Sequence, residues 1–178
     1  MNTVATRPPL ALEQLNRMDA ARFVETFGGI FEHSPWVAEA AHRLAPFDSA
    51  DALHAAMIGA VRAAPRAQLL AFLRLHPELA GKEAQAGTMT DHSTQEQSGA
   101  GLNAMTRDEI ANLRRMNAAY AERHGFPFII AVLANSKQQI LDALRTRTAA
   151  DSEAEIAAAL GQISIITRRR LDKLLAAG

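Results

Sequence analysis

Apolar residues recur three or four positions apart through most of the chain, and the helices this period implies account for nearly all of it. Asp19 stands as an N-cap ahead of Phe23 and Phe27, with Gly28-Gly29 closing that helix. Ser34-Pro35 reads as a cap followed by proline at the first helical position, for a helix reaching about Leu44. Further helices are expected over 49–63 and 65–75. Residues 80–106 hold several glycines, serines and threonines and predict an irregular connection with at most a short helix inside it, where Ser93-Thr94-Gln95-Glu96 fits an S-x-x-E capping box. Thr106 to Glu109 is a second capping box, opening a long helix through Tyr120 that Gly125 ends at C′. Ser136 caps a helix to about Thr148, and Asp151 or Ser152 begins the last one. Only residues 128–133 form a short continuous apolar run of the strand type. The expected fold is all-α, a single-domain helical bundle of about seven to nine helices over 10–178, with a flexible tail at 1–9.

Three charged or titratable residues break the pattern. In the last helix Ile156, Ala159, Leu160, Ile163, Ile166 and Leu174 form an apolar stripe, and Arg170 falls inside it. At about 100° per residue it points within a few tens of degrees of Ile163. A guanidinium on an apolar face must pair internally, snorkel to the rim or bind an anion in a pocket, because burying it unpaired costs several kcal/mol. His76 continues the face of Leu69, Phe72 and Leu73, and Pro77 stops the helix there. An imidazole at a helix C-terminus is either a hydrogen-bonded structural group or a proton-transfer group working near neutral pH. Glu96, the third, has the capping box as its ordinary explanation. The other five histidines read as surface or packing residues.

Composition narrows the field. The 178 residues, 48% hydrophobic and 21% charged, suit one compact domain with a sizeable core. Nineteen basic residues balance nineteen acidic ones, and no basic stripe with interleaved aromatics speaks for a nucleic-acid partner. The absence of cysteine excludes disulfides and thiol catalysis and fits a reducing, cytoplasmic setting. No apolar stretch approaches a membrane span, and the first residues lack a signal-peptide layout. There is no paired-carboxylate motif, phosphate-binding glycine loop or metal cluster, so chemistry must come from a set such as His76, Glu96 and Arg170.

Four motifs in order carry a resemblance: His76-Pro77-Glu78-Leu79-Ala80-Gly81-Lys82; Ser93-x-x-Glu96-Gln97-x-x-Ala100-Gly101-Leu102; Gly125-Phe126-Pro127-Phe128; and Arg170-Leu171. With Phe31-Glu32-His33-Ser34-Pro35-Trp36 upstream, the chain resembles the OHCU decarboxylase family from about Phe23 to Leu175. That family converts 2-oxo-4-hydroxy-4-carboxy-5-ureidoimidazoline (OHCU) to (S)-allantoin in urate breakdown. The resemblance implies an all-α, cofactor-independent and commonly dimeric enzyme. It implies that His76 is the proton donor, with Glu96 and Arg170 as the charged residues beside it. Substrate contacts would come from Pro77, from Ser93, Thr94, Gln95, Glu96 and Gln97, and from Phe128, Ile129, Ile130, Ala131 and Val132. Two departures bear on substrate grip: Leu133 stands where members often carry a basic residue, and Arg168-Arg169 where apolar residues are frequent.

On this reading the substrate supplies its own electron sink, so no cofactor or metal is expected. The enzyme holds one ring face, takes the carboxylate out of water and delivers a proton to one side. The partners expected are the ureide substrate, its product and a second copy of the chain, with neither nucleic acid nor membrane. The competing reading is a non-catalytic helical module of the same fold that binds a ureide or a partner protein. A scaffold unrelated to purines would instead show a large exposed apolar patch.

Overall fold

The computed structural model describes residues 10–81, 87–99 and 102–175. The expected tail at 1–9 and the motif residues Lys82, Ala100 and Gly101 lie outside them. The described residues form two compact units, 10–64 with 167–175, and 65–166. Nine α-helices, two 3₁₀ turns and no strand occur among them, so the fold is all-α.

In the first unit α1 is Leu12–Asn16, α2 Ala20–Phe27, α3 Trp36–His42 and α4 Ala50–Ala63. Asp19 caps α2 by accepting the Arg22 amide at 2.8 Å, and Ser49 caps α4 through the Ala52 amide at 3.0 Å. Helix α3 packs on both α2 and α4. The core there is aromatic: Phe23 and Phe27 are fully buried, with ring centroids 4.7 Å apart, and Phe47 lies 6.5 Å from Phe23. Each such ring contributes on the order of 1.5–3 kcal/mol by leaving water. The Asn16 side chain fastens Phe47, donating to its carbonyl and accepting from its amide, both at 2.8 Å. The short α1 itself has no counterpart in the apolar periodicity. Ser34 does not cap α3 with its side chain; its hydroxyl donates to the Glu32 carbonyl at 2.8 Å, and α3 ends at His42 rather than Leu44.

The second unit holds α5 (Arg66–Arg74), α6 (Asp91–Gly99), a 3₁₀ turn at Leu102–Ala104, α7 (Arg107–His124), a second 3₁₀ turn at Val132–Ala134, α8 (Lys137–Thr148) and most of α9 (Ser152–Leu174). The capping box expected at Thr106/Glu109 is present, Ser136 caps its helix as expected and adds a box with Gln139, and Asp151 accepts the amides of Glu153 and Ala154 ahead of α9. Gly125 closes α7 at φ 79°, a left-handed conformation that costs a residue with a Cβ roughly 1–2 kcal/mol. One expectation needs correction: Ser93 and Glu96 do not form the box that opens α6. Thr90 does the capping one turn earlier, its hydroxyl accepting the Ser93 amide at 3.3 Å and its carbonyl the Thr94 amide at 2.9 Å. Ser93 and Glu96 are therefore interior helical positions. The apolar run at 128–133 is not a strand either: residues 128–131 are buried irregular chain leading into the Val132–Ala134 turn. Helices α7 and α8 pack together, and α6 packs on both 3₁₀ turns.

Candidate active site

His76 follows α5 by two residues and is half-buried. Its Nδ1 lies 3.3 Å from the Phe72 carbonyl and its ring meets Phe72 edge-on at 5.2 Å. A carbonyl only accepts, so Nδ1 carries hydrogen. The chain then turns sharply: Ala80 has φ 48°, and a Cβ on Gly81 would come within 2.5 Å of the Glu78 Cβ. His76 lines a cavity of about 310 Å³ with Arg74, Glu78, Ala121, Gly125, Phe126 and Pro127. Arg74 supports the far wall by donating from Nε to the Gly125 carbonyl at 2.7 Å.

Three of the stretches singled out in the sequence converge in this unit. Gln97, on α6, takes the His76 turn in both directions, Oε1 accepting the Ala80 amide at 3.0 Å and Nε2 donating to the Glu78 carbonyl at 3.3 Å. Asn117 on α7 adds a bond from Nδ2 to the Leu79 carbonyl at 3.1 Å. Helix α6 also packs against the turn that begins at Val132. Ser93 and Gln97 are buried, Glu96 and Pro77 half-buried, Thr94 and Gln95 exposed. Glu96, Phe128, Ile129, Ile130, Ala131 and Val132 are not among the residues lining the His76 cavity.

The 128–132 segment is held by groups that sequence reasoning missed. Arg147 donates from Nη1 to the Ile129 carbonyl at 2.9 Å, and its guanidinium lies 4.6 Å over the Phe128 ring, a favourable cation–π placement. Gln162 accepts the Ala131 amide at 2.9 Å. Arg147 is itself paired with Glu155, which also accepts the Tyr120 hydroxyl at 2.6 Å. Burial, together with the Glu155 carboxylate, pushes the Tyr120 hydroxyl well above the ordinary tyrosine range. Glu155 sits four residues before Ala159 on the stripe that contains Arg170, so the test applied to Arg170 also finds Glu155.

Arg170 belongs to the other unit. It is buried to 3% exposure, pairs with the equally buried Glu32 at 2.9 Å and donates to the Ile30 carbonyl at 3.0 Å. Of the alternatives open from its position in the stripe, the internal ion pair is present.

A family model described as OHCU decarboxylase matches residues 16–172. The chain belongs to the OHCU decarboxylase family. Among relatives, a 2-oxo-4-hydroxy-4-carboxy-5-ureidoimidazoline decarboxylase of Haloferax volcanii is 41% identical over 91% of this chain and 94% of its own length. A mouse protein of the same description is 37% identical over 92% of each. The crystal structure of an (S)-allantoin synthase superposes with TM-score 0.77 at 30% identity, covering 94% of this chain and about half, 54%, of that one. Family membership bears out the resemblance carried by the four motifs.

Proposed function

We propose that the chain is a cofactor-independent carboxy-lyase that converts OHCU to (S)-allantoin and CO₂ in urate degradation. The observation that carries the reading is the convergence of the His76 turn, helix α6 and the 128–132 segment in one unit of a chain that belongs to the OHCU decarboxylase family. In OHCU the carboxylate and a hydroxyl share a ring carbon beside a C=N bond. When the C–CO₂ bond breaks, its electron pair moves into that C=N system. The carbon bearing the ureido group then takes a proton, and the hydroxyl becomes the ring carbonyl of allantoin as its own proton passes to the ring nitrogen that received the charge. Charge never has to reside on one carbon, so the protein's share is orientation, exclusion of water and one proton.

His76 is the donor of that proton. With Nδ1–H engaged by Phe72, the mobile proton is on Nε2, and a ring fixed at one nitrogen delivers to one face, giving one enantiomer. Glu96, half-buried on α6, orients the imidazole or binds ureido N–H groups. Pro77 and the Ser93, Thr94, Gln95 and Gln97 positions complete that wall, while residues 128–132 offer backbone groups to the ring's amide edges. Arg170 is assigned to an anionic or carbonyl oxygen on the resemblance alone, its guanidinium held in orientation by Glu32. A homodimer belongs to the same reading and rests on the resemblance, while a cytoplasmic setting rests on the lack of cysteine. The match over 16–172 supports treating 10–178 as one family domain.

The test generates OHCU from urate in situ and follows circular dichroism after the chain is added. Rapid appearance of the (S)-allantoin signal, lost in His76→Ala while far-ultraviolet dichroism is unchanged, is expected. Slow racemic decay with the wild-type chain would refute the reading in favour of a ureide-binding module.

A further inference from the structure

The two peptide groups flanking Ile130 are each held from one end only. Arg147 Nη1 takes the Ile129 carbonyl at 2.9 Å, and Gln162 Oε1 takes the Ala131 amide at 2.9 Å. Both peptide bonds are trans, and in a planar trans peptide the C=O and N–H point in opposite directions. Fixing the Ile129 carbonyl toward Arg147 therefore turns the Ile130 N–H away from that guanidinium. Fixing the Ala131 N–H toward Gln162 turns the Ile130 carbonyl away from that amide. Among the described residues neither the N–H nor the C=O of Ile130 has a hydrogen-bond partner, although the residue is only 6% exposed. Buried backbone groups are nearly always paired. One donor and one acceptor left on a single buried residue match a ligand edge that offers one acceptor and one donor in sequence, as the N–C=O edge of a urea or lactam does.

The clamps are built to hold. Arg147 is anchored by buried Glu155 and stacked on Phe128, so its Nη1 is left with little freedom. Gln162 is a half-buried residue of the 23-residue helix α9. Neither side chain needs to touch the substrate.

We infer that Arg147 and Gln162 are positioning residues that lock the Ile130 peptide groups into a donor–acceptor pair recognising the ureide's amide edge. The inference rests on the proposed decarboxylase reading and deepens it by naming what selects the substrate's edge. A misdirected hydrogen-bonding pair is expected to weaken ground-state binding about tenfold, the equivalent of one hydrogen bond of roughly 1.4 kcal/mol.

The experiment compares Gln162→Leu with Gln162→Glu, which have nearly the same size. Glutamate keeps an acceptor for the Ala131 amide and leucine does not. Gln162→Leu should raise KM for OHCU and the calorimetric Kd for (S)-allantoin about tenfold, with kcat falling by a smaller factor, and Gln162→Glu should restore most of the affinity. Arg147→Lys keeps the charge opposite Glu155 but cannot serve Glu155 and the Ile129 carbonyl together, so it should reproduce the rise in KM. Should the leucine variant not fold, Gln162→Asn, one methylene too short to reach Ala131, gives the same comparison. Wild-type KM and Kd in Gln162→Leu, or equal losses in the leucine and glutamate variants, would overturn the inference. A wild-type chain that makes no (S)-allantoin would instead overturn the functional reading and the inference with it.

Discussion

Glu153 and Glu155 stand two residues apart in α9 and each holds an arginine, yet Glu153→Gln and Glu155→Gln should differ widely in effect. The Arg66–Glu153 pair is exposed, with side chains 48% and 71% accessible. The Arg147–Glu155 pair is not, at 15% and 1%. In solvent, screening and the entropy of two long side chains leave such a pair worth about 0–1 kcal/mol. Removing the charge from Glu155 strands Arg147 and weakens the bond from Tyr120, and breaking a buried pair costs about 3–5 kcal/mol. Arg147 retains some access to water, which favours the lower end. At roughly 2–4 °C per kcal/mol for a chain of this size, Glu155→Gln should lower the melting temperature by about 6–12 °C, and Glu153→Gln by about 4 °C at most. Dichroism at 222 nm during heating reads both. Adding Arg147→Met to each background completes a double-mutant cycle and should give a large coupling only with Glu155. Equal shifts for the two glutamates would refute the argument that burial, rather than pairing as such, sets the magnitude.

Three other outcomes are expected. Arg170→Lys retains charge but loses the planar fork that serves Glu32 and the Ile30 carbonyl together; it should cost about 1–3 kcal/mol in urea unfolding, and a stability equal to wild type would contradict the buried pairing. Gly125→Ala should destabilise by about 1–2 kcal/mol, because φ of 79° is strained for any Cβ; an unchanged urea midpoint would sink this. Arg168 holds the Asp51 carboxyl below its ordinary range, and Lys137, then the Thr106 amide, does so for Glu109. Both folded pKa values are lowered, so the stability they supply is present above the unfolded values of about 3.9 and 4.3 and is lost as pH falls through the folded ones. Asp51→Asn with Glu109→Gln should therefore narrow the gap in urea midpoint between pH 7 and pH 3, and an unaltered gap would refute it.

The helices were legible because their signals are local. Thr106 and Ser136 meet their box partners three residues on, and Gly125 marks its own stop. The start of α6 was misread because Thr90 and Ser93 offer the same hydroxyl chemistry one turn apart, and only packing decides between them. Residues 128–133 resemble a strand in composition, but no second strand exists among the described residues to pair with them. Arg170 was visible as an anomaly in its stripe, whereas its partner Glu32 is 138 residues away and carries no periodic signal. Arg147, Gln162 and Asn117 went unseen for another reason: their partners include backbone carbonyls and amides, which nearly every residue has and which no residue type announces. Candidate titratable residues could thus be picked out, while the side chains that hold the 128–132 backbone could not.

The chain contains one tryptophan and one tyrosine. Trp36 opens α3 in the first unit, and Tyr120 lies wholly buried in α7 of the second. Each unit thus carries its own optical reporter. Indole emission excited at long wavelength follows one, while the phenol's near-ultraviolet bands follow the other, without any label. Because Tyr120 resists ionisation in its buried bond to Glu155, tyrosinate absorbance in alkali would mark the opening of its surroundings rather than an ordinary phenol titration. Coincidence or separation of the two signals during denaturation would reveal whether the halves come apart as one cooperative body.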